Sequence, residues 1–188
     1  MNQSSFDELV KRFENPEREK WQKPQDLVRF LGELKGKTVA DLGAGTGYFS
    51  FRLAEKGATV IALDIDERFL EFIRKEQERR GVSGLAVRKT EPDGLRLNDG
   101  EVDLLLLVDV YHHIGNRVAF FKGAKTKLKP RGRIVIVDFR KGDLPVGPPD
   151  KHKLSSGEAE VELQQAGYAT EVENNLLPYQ YIVTARSR

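Results

Sequence analysis

The stretch VADLGAGTGYFS, residues 39–50, carries three glycines on alternate positions directly after an apolar run: Gly43, Gly45 and Gly47. A glycine-rich turn between a strand and a helix lets a ligand reach backbone N–H groups without meeting a Cβ atom. A tight turn that binds nothing needs only one or two glycines. Asp41 ends the strand before the turn, and Asp64 ends the next strand. This combination predicts that a ligand lies against the backbone here.

Apolar segments around this turn alternate between strand and helix patterns. Five of them predict strands: TVADL, ATVIALD, GLAVRK, EVDLLLLVDV and RIVIVDF. DERFLEFIRKEQERRG predicts an amphipathic helix, and KPQDLVRFLGELKGK predicts a helix that ends at Gly36. SSGEAEVELQQAG predicts a helix that begins with a capping box of Ser155 and Glu158.

The C-terminal third adds the remaining elements. One helix is predicted to bury Val118, Phe121 and Leu128, and YATEVENNLLPYQYIVTA predicts an antiparallel hairpin around Pro178. The segment 140–153, RKGDLPVGPPDKHK, has no structure of its own, and loops of that length are often functional. Repeated strand–helix units imply an α/β protein with a doubly wound sheet.

The composition limits the class of protein. The 188 residues suit one domain, 1–188, with 39% hydrophobic and 32% charged residues. A net charge of +2 gives no argument for nucleic acid. There is no apolar run of about 18 residues and no signal-peptide core, so we expect no membrane segment and a cytoplasmic protein. The chain has no cysteine, which excludes disulfides and thiolate metal sites, and no metal is expected.

The spacing of the glycines indicates which kind of ligand binds. A dinucleotide-binding turn reads G-x-G-x-x-G and holds pyrophosphate at the helix N-terminus. DLGAGTG instead resembles motif I of the class I S-adenosylmethionine-dependent methyltransferases. The resemblance covers the chain from about residue 21 onward and implies S-adenosyl-L-methionine as cofactor and S-adenosyl-L-homocysteine as product. It also implies a mostly parallel seven-stranded sheet of order 3-2-1-4-5-7-6 with an antiparallel last strand.

The same resemblance assigns residues to the cofactor. Asp64 suits the two ribose hydroxyls, because a carboxylate can accept hydrogen bonds from both. TEPDG stands where the family contacts adenine, although it departs from the commoner G-D-A sequence, and LVDVYHHI matches the motif of the fourth strand. The implied cofactor-binding residues are Asp41, Gly43, Ala44, Gly45, Gly47, Tyr48, Asp64, Ile65, Thr90, Glu91, Pro92, Asp109 and Val110.

A narrower resemblance concerns small bacterial and archaeal methyltransferases. LKPRGRIVIVDF looks like the family's entry to the fifth strand, with Arg131 in place of a glycine, and four further segments match: WQKP, YHH, GPPDKHK and LPYQY. Trp21 and Gln22 are predicted to belong to an N-terminal extension, residues 1–23, that forms a lid over cofactor or substrate. The alternative is that Trp21 is a surface aromatic residue packed on the sheet edge.

The paired histidines are the candidates for chemistry. Methyl transfer requires the acceptor atom to lie in line with the methyl group and to be shielded from water. It requires a base only where the acceptor arrives protonated. His112 and His113 follow the central strand, where ligands of such sheets bind, and imidazole takes up a proton near neutral pH. The alternative is a capping or packing role. Further candidates for the acceptor side are Tyr111, His152 and Tyr179, and a structural role is the alternative for Tyr111.

Two functions of different classes fit these observations. The first is a methyltransferase acting on a small molecule, with a protein side chain as the alternative acceptor. Ten Lys or Arg against three acidic residues between positions 122 and 153 indicate an anionic acceptor. The second is a sensor or scaffold module that binds the cofactor without turnover. The glycine spacing and the terminal hairpin disfavour an NAD-dependent oxidoreductase, and the sequence does not reveal the oligomeric state.

Overall fold

The computed structural model describes residues 3–188, which form seven α-helices and seven β-strands. The helices are α1 Gln3–Phe13, α2 Arg18–Gln22, α3 Pro24–Phe30, α4 Tyr48–Glu55, α5 Glu67–Arg80, α6 Arg117–Ala124 and α7 Ser156–Gln165. The strands are β1 Thr38–Leu42, β2 Thr59–Asp64, β3 Leu85–Lys89, β4 Val102–Val108, β5 Leu128–Phe139, β6 Tyr168–Glu173 and β7 Gln180–Ser187. Short 3-10 turns lie at 111–113, 125–127 and 150–152.

All seven strands belong to one sheet of order β3-β2-β1-β4-β5-β7-β6. The first five strands pair in parallel, whereas β7 runs antiparallel to both β5 and β6. The predicted fold class, strand order and reversed last strand are therefore confirmed. The strand order reverses between β1 and β4, so a crevice opens at their carboxyl ends, where ligands of such sheets bind.

Two apolar layers cover the faces of the sheet. Residues of β1 alternate between them: Ala40 and Leu42 pack in one layer, and Val39 packs in the other. The central strand β4 buries every residue except Asp103, because helices cover both of its faces. This double cover holds the carboxyl ends of β1 and β4 in fixed positions.

Two element boundaries differ from the predictions. α3 ends at Phe30 rather than near Gly36, because Gly32 adopts φ of 75° and turns the chain out of the helix. α6 ends before Leu128, which begins β5 instead of extending the helix. The capping box predicted at the start of α7 is confirmed by its two reciprocal hydrogen bonds.

The N-terminal helices α1 and α2 are elements that the sequence analysis left unassigned. Phe6 and Phe13 of α1 both pack on Phe69 of α5, with ring centroids 5.0 and 5.5 Å apart. α1 therefore lies over the start of α5, at the end of the sheet that carries the glycine turn. Met1 and Asn2 of the predicted 1–23 extension lie outside the described residues. Between residues 3 and 188 no helix combines the length and apolar character needed to cross a membrane.

Candidate active site

The turn between β1 and α4 holds its three glycines in left-handed backbone. Gly43, Gly45 and Gly47 have φ of 72°, 54° and 78°, a region that costs a residue with a side chain about 1–2 kcal/mol. A Cβ on Gly43 would lie 2.3 Å from Cγ2 of Val110, so this glycine lets β1 and β4 approach each other. A Cβ on Gly45 would instead lie 3.3 Å from the ring of Phe13. Gly45 thus presents bare backbone to the space under α1.

Two buried carboxylates flank the turn. Asp41 accepts a hydrogen bond from Oγ of Ser50 at 2.6 Å, and burial raises the pKa of Asp41 to about 6. Asp64 accepts from the backbone N–H groups of Gly45 at 2.8 Å and Asp66 at 3.0 Å. Burial also raises the pKa of Asp64, although these two N–H groups oppose the change. Both acids predicted from the sequence therefore lie at the carboxyl end of the sheet.

The predicted adenine-contact segment forms a small turn beside β3. Thr90 is buried and its hydroxyl donates to the carbonyl oxygen of Gly94 at 2.7 Å, so this side chain holds the turn together. Glu91 and Pro92 are exposed. Ile65, which follows β2, is 56% exposed, a large value for an apolar side chain. Ile65 is therefore the apolar surface that this edge of the crevice offers.

The segment from the end of α1 through α2, residues 14–22, lies over the glycine turn. Thr46 of the turn donates its hydroxyl hydrogen to the carboxylate of Glu14. Glu19 accepts from the hydroxyl of Tyr48 at 3.1 Å, and burial raises the pKa of Tyr48 to about 12. Trp21 is half-buried with its ring 5.6 Å from that of Phe139. Polar and aromatic contacts therefore attach this segment to both sides of the crevice.

Gln22 of α2, Asp109 after β4 and Gln180 of β7 form a hydrogen-bonded cluster. Nε2 of Gln22 donates to Asp109 at 3.0 Å and to Oε1 of Gln180 at 3.1 Å, and Nε2 of Gln180 donates to Asp109. Arg18 lies 3.9 Å from Asp109, with its guanidinium 4.1 Å from the ring centre of Tyr48. Asp109 adopts φ of 61°, which is rare outside glycine, and desolvation raises its pKa to about 6. The cluster ties α2 to the carboxyl end of β4 and the amino end of β7.

His112 is held by Asp138, the penultimate residue of β5. Nδ1 of His112 lies 2.8 and 2.9 Å from the two carboxylate oxygens, and its backbone N–H donates to the same group at 3.0 Å. The two side chains are 4% and 2% exposed. Nε2 of His112 has no hydrogen-bond partner among the described residues. It is not fully buried, because the hydroxyl of Tyr181 is the only described side-chain atom that is both fully buried and unpartnered. Nε2 is therefore left free to accept a hydrogen bond.

The other two histidines lie near His112. The ring of His113 packs on that of His112 with centroids 4.1 Å apart, and burial, followed by the charge of His112, lowers the pKa of His113. His152 lies exposed in the 140–153 loop and is an electrostatic neighbour of His113. The structure thus brings all three histidines of the sequence to the same end of the sheet.

Two tyrosines predicted for the acceptor side have different surroundings. Tyr111 is fully buried, its ring stacks on Phe121 with centroids 5.6 Å apart, and its hydroxyl donates to Glu162. This placement makes Tyr111 a core residue and speaks against the predicted contact with substrate. Tyr179 is half-buried directly before β7, where its carbonyl oxygen accepts from the backbone N–H of Arg140 at 3.0 Å.

The long loop uses part of its positive charge internally. Arg140 donates to the carbonyl oxygen of Leu177 at 2.7 Å. Lys153 is buried and donates to the carbonyl oxygen of Gly142 at 2.7 Å. Lys151 remains exposed. Arg140 and Lys153, two of the cations that indicated an anionic acceptor, therefore hold the loop and the segment before β7 in place. This use of their charge weakens the prediction of an anionic acceptor.

Three residues of this site were not predicted from the sequence: Asp138, Arg18 and Gln180. Asp138 carries the signal used for Asp41 and Asp64, an acid at the end of a buried strand, and could have been found by it. Arg18 and Gln180 meet at the crevice from opposite ends of the chain, and neither stands in a pattern that predicts this.

Comparison with known proteins identifies relatives of the chain. Residues 33–181 match the family described as "Methyltransferase domain". The chain is 34% identical over 111 residues to a demethylmenaquinone methyltransferase of Tropheryma whipplei (strain Twist), a match to 59% of this chain and 45% of the relative. It is 25% identical over 171 residues to a ubiquinone biosynthesis O-methyltransferase of Acinetobacter baylyi, covering 81% and 70%. The chain thus spans about half the length of the first of these relatives.

A solved structure supports the same conclusion for the fold. The crystal structure of a SAM dependent methyltransferase from Aquifex aeolicus aligns with a TM-score of 0.89 and 24% identity over 98% of each chain. Because the family match spans most of the sequence, this chain belongs to the methyltransferase-domain family. The prediction of a methyltransferase is confirmed at the level of the family, and the predicted class I fold is supported by the solved structure. The roles of individual residues stay predictions.

Proposed function

We propose that this protein transfers the methyl group of S-adenosylmethionine to a small-molecule acceptor that binds beside His112. The observation that carries the proposal is the contact of the Gly45 N–H with the Asp64 carboxylate, 2.8 Å long, at the crevice between β1 and β4. Bare backbone and a carboxylate at one point suit a ligand with ribose hydroxyls, since the carboxylate can accept from two of them at once.

Two further features support this donor. Asp41 is a buried carboxylate, and an opposite charge such as the ammonium group of the donor would favour its ionised form. The exposed side chain of Ile65 directly follows Asp64 and offers an apolar contact to the adenine ring. When bound, the donor supplies an electrophilic methyl group on a positively charged sulfur.

The helices α1 and α2 would act as the cover of the site. They reach the glycine turn through Phe13 and the ends of β4 and β7 through Gln22. A cover of this kind excludes water from a displacement reaction and holds its components in line. The lid predicted for residues 1–23, and the single domain 1–188, remain part of the proposal.

The acceptor side supports a small molecule. The names of the two relatives refer to demethylmenaquinone and to ubiquinone biosynthesis, whereas another relative is named a tRNA U34 carboxymethyltransferase. The net charge of +2 supports the small molecule over the RNA. A protein side chain and a cytoplasmic location stay predictions.

The experiment is incubation of the protein with methyl-labelled S-adenosylmethionine and either a metabolite extract or a proteome. A labelled metabolite that appears only with the protein is the expected result. Binding of S-adenosylhomocysteine without any labelled product would favour the sensor or scaffold function. Failure to bind S-adenosylhomocysteine would contradict both.

A further inference from the structure

The hydrogen bonds of Asp138 determine which nitrogen of His112 carries the hydrogen. Its oxygens accept from the backbone N–H groups of His112 at 3.0 Å and Phe139 at 2.7 Å, which fixes the orientation of the carboxylate. Nδ1 of His112 lies within 2.9 Å of both oxygens. A carboxylate only accepts, so Nδ1 is the donor, and the neutral ring has its lone pair on Nε2.

We infer that Asp138 positions His112 so that Nε2 removes the proton of an acceptor hydroxyl, which makes the reaction an O-methylation. This inference rests on the proposed function. The acceptor oxygen gives its proton to Nε2 and forms the new bond to the methyl carbon. The electron pair of the broken carbon–sulfur bond stays on sulfur, so the sulfonium becomes a neutral thioether. The imidazolium then releases its proton to water. Asp138 touches neither reactant and is a positioning residue.

The lone pair of Nε2 favours a hydroxyl over an ammonium acceptor. A hydroxyl oxygen keeps lone pairs while it donates to Nε2, so it can bond to the methyl carbon as its proton leaves. An ammonium nitrogen has no lone pair until its proton has left. With an ordinary pKa of about 10.4, an ammonium group would have to give up its proton completely to a weaker base before the transfer.

The need for a base favours a hydroxyl over a thiol. A thiol has a pKa of about 8.5 and is partly ionised at neutral pH, whereas a phenol has a pKa of about 10 and stays protonated. A base with the lone pair on Nε2 therefore contributes far more to transfer onto oxygen.

Four titratable groups surround His112. Asp138 is bonded to its ring, and Asp109 is an electrostatic neighbour of it. The ring of His113 packs on that of His112, and His152 lies beyond His113. Burial lowers the pKa of His113. The pH profile of turnover therefore reflects these groups as well as His112.

Nitrogen-15 NMR of the protein bound to S-adenosylhomocysteine tests the positioning directly. We expect His112 to carry hydrogen on Nδ1 and none on Nε2 at pH 8. In Asp138→Asn the new amide can donate to Nδ1, so the hydrogen should move to Nε2. The matched control is Asp103→Asn, because Asp103 accepts a backbone N–H and a lysine at the opposite end of the sheet. That control should leave the tautomer of His112 unchanged.

The transfer itself is measured with a carbon-13 methyl donor and an extract supplemented with catechol, butylamine and 2-mercaptoethanol as probe acceptors. We expect the new methyl signal on oxygen, and a loss of about 10²-fold or more in Asp138→Asn while S-adenosylhomocysteine affinity stays within twofold. A methyl on nitrogen or sulfur, or an Nε2-protonated ring in the wild-type protein, would overturn the inference. If Asp138→Asn does not fold, the wild-type tautomer and the product decide. Loss of S-adenosylhomocysteine binding by the wild-type protein would instead contradict the proposed function, and the tautomer would still decide the role of Asp138.

Discussion

The backbone N–H of Gly45 donates to Oδ2 of Asp64 at 2.8 Å, which ties the glycine turn after β1 to the end of β2. Asp64 also accepts from the N–H of Asp66 at 3.0 Å. Burial nevertheless raises the pKa of Asp64, so these two donors do not fully compensate the desolvated charge. A carboxylate in this state gains from further donors, and the two ribose hydroxyls of S-adenosylmethionine would supply them.

Asp64→Ala should therefore weaken cofactor binding. The variant leaves two ribose hydroxyls without an acceptor, which we expect to cost about 1–3 kcal/mol of binding free energy. Calorimetry with S-adenosylhomocysteine measures this loss. Asp99→Ala, which removes an exposed acid paired with Lys127, is the control and should bind like the wild-type protein. Equal affinity in Asp64→Ala and wild type would remove Asp64 from the site.

Asp41→Asn should stabilise the protein at neutral pH but not at low pH. The folded-state pKa of Asp41, about 6, lies above its ordinary value of 3.8, so the native state binds this proton more tightly than the unfolded state. The stability that this gives is fully present below pH 3.8 and is lost as the pH rises through about 6. The neutral amide avoids the loss and can still accept from Ser50.

Urea unfolding of both proteins between pH 4 and 8 measures this difference. We expect Asp41→Asn to gain over wild type between pH 4 and 6, by about 3 kcal/mol at most, since one pKa unit corresponds to about 1.4 kcal/mol. A difference that does not change with pH would show that Asp41 is not the group that titrates.

Gln22→Ala tests the cover formed by α2. The truncation leaves Asp109 and Gln180 without the donor that joins them to α2, so the covered state should lose stability. We expect S-adenosylhomocysteine to dissociate about tenfold faster, the equivalent of one lost hydrogen bond. Stopped-flow displacement gives the rate. Lys20→Ala on the exposed side of the same helix is the control, and equal dissociation rates in all three proteins would contradict the lid.

His112→Ala should lower turnover far more than cofactor binding. Removal of a general base typically costs about 10²–10⁴-fold in rate. The loss should shrink at high pH, where the acceptor ionises without help. Turnover on the identified acceptor between pH 5 and 9, alongside S-adenosylhomocysteine affinity, separates the two effects. Turnover equal to wild type across this range would return both histidines to a packing role.

The fold could be predicted from the sequence because its independent local patterns indicate the same structure. Apolar runs for buried strands, glycines at turns and a capping box at α7 all indicate the same alternating sheet. The N-terminal helices were missed because α1 and α2 are rich in charged residues and pack over an end of the sheet. α1 has few apolar residues, and two of them, Phe6 and Phe13, pack on Phe69, which is distant in the sequence.

The candidate site was only partly predictable for a similar reason. Asp41, Asp64 and Asp109 lie at or next to the carboxyl ends of strands, and topology alone places those ends together. The bond between His112 and Asp138, and the cluster that joins Gln22 to Gln180, depend on side-chain directions across distant segments. The direction of the Tyr111 side chain was equally unreadable, because its place in a motif beside the histidines does not show that the ring turns into the core.

Titration of S-adenosylhomocysteine into wild type and Gly45→Val is the most direct test of the glycine turn as a cofactor site. Gly36→Val is the control for backbone strain, because Gly36 also has positive φ, 72°, with nothing within 4 Å of a built Cβ. We expect saturable binding at one site in wild type and in Gly36→Val, and none in a folded Gly45→Val. Equal binding by Gly45→Val would contradict the account, because the glycines would then serve the turn alone.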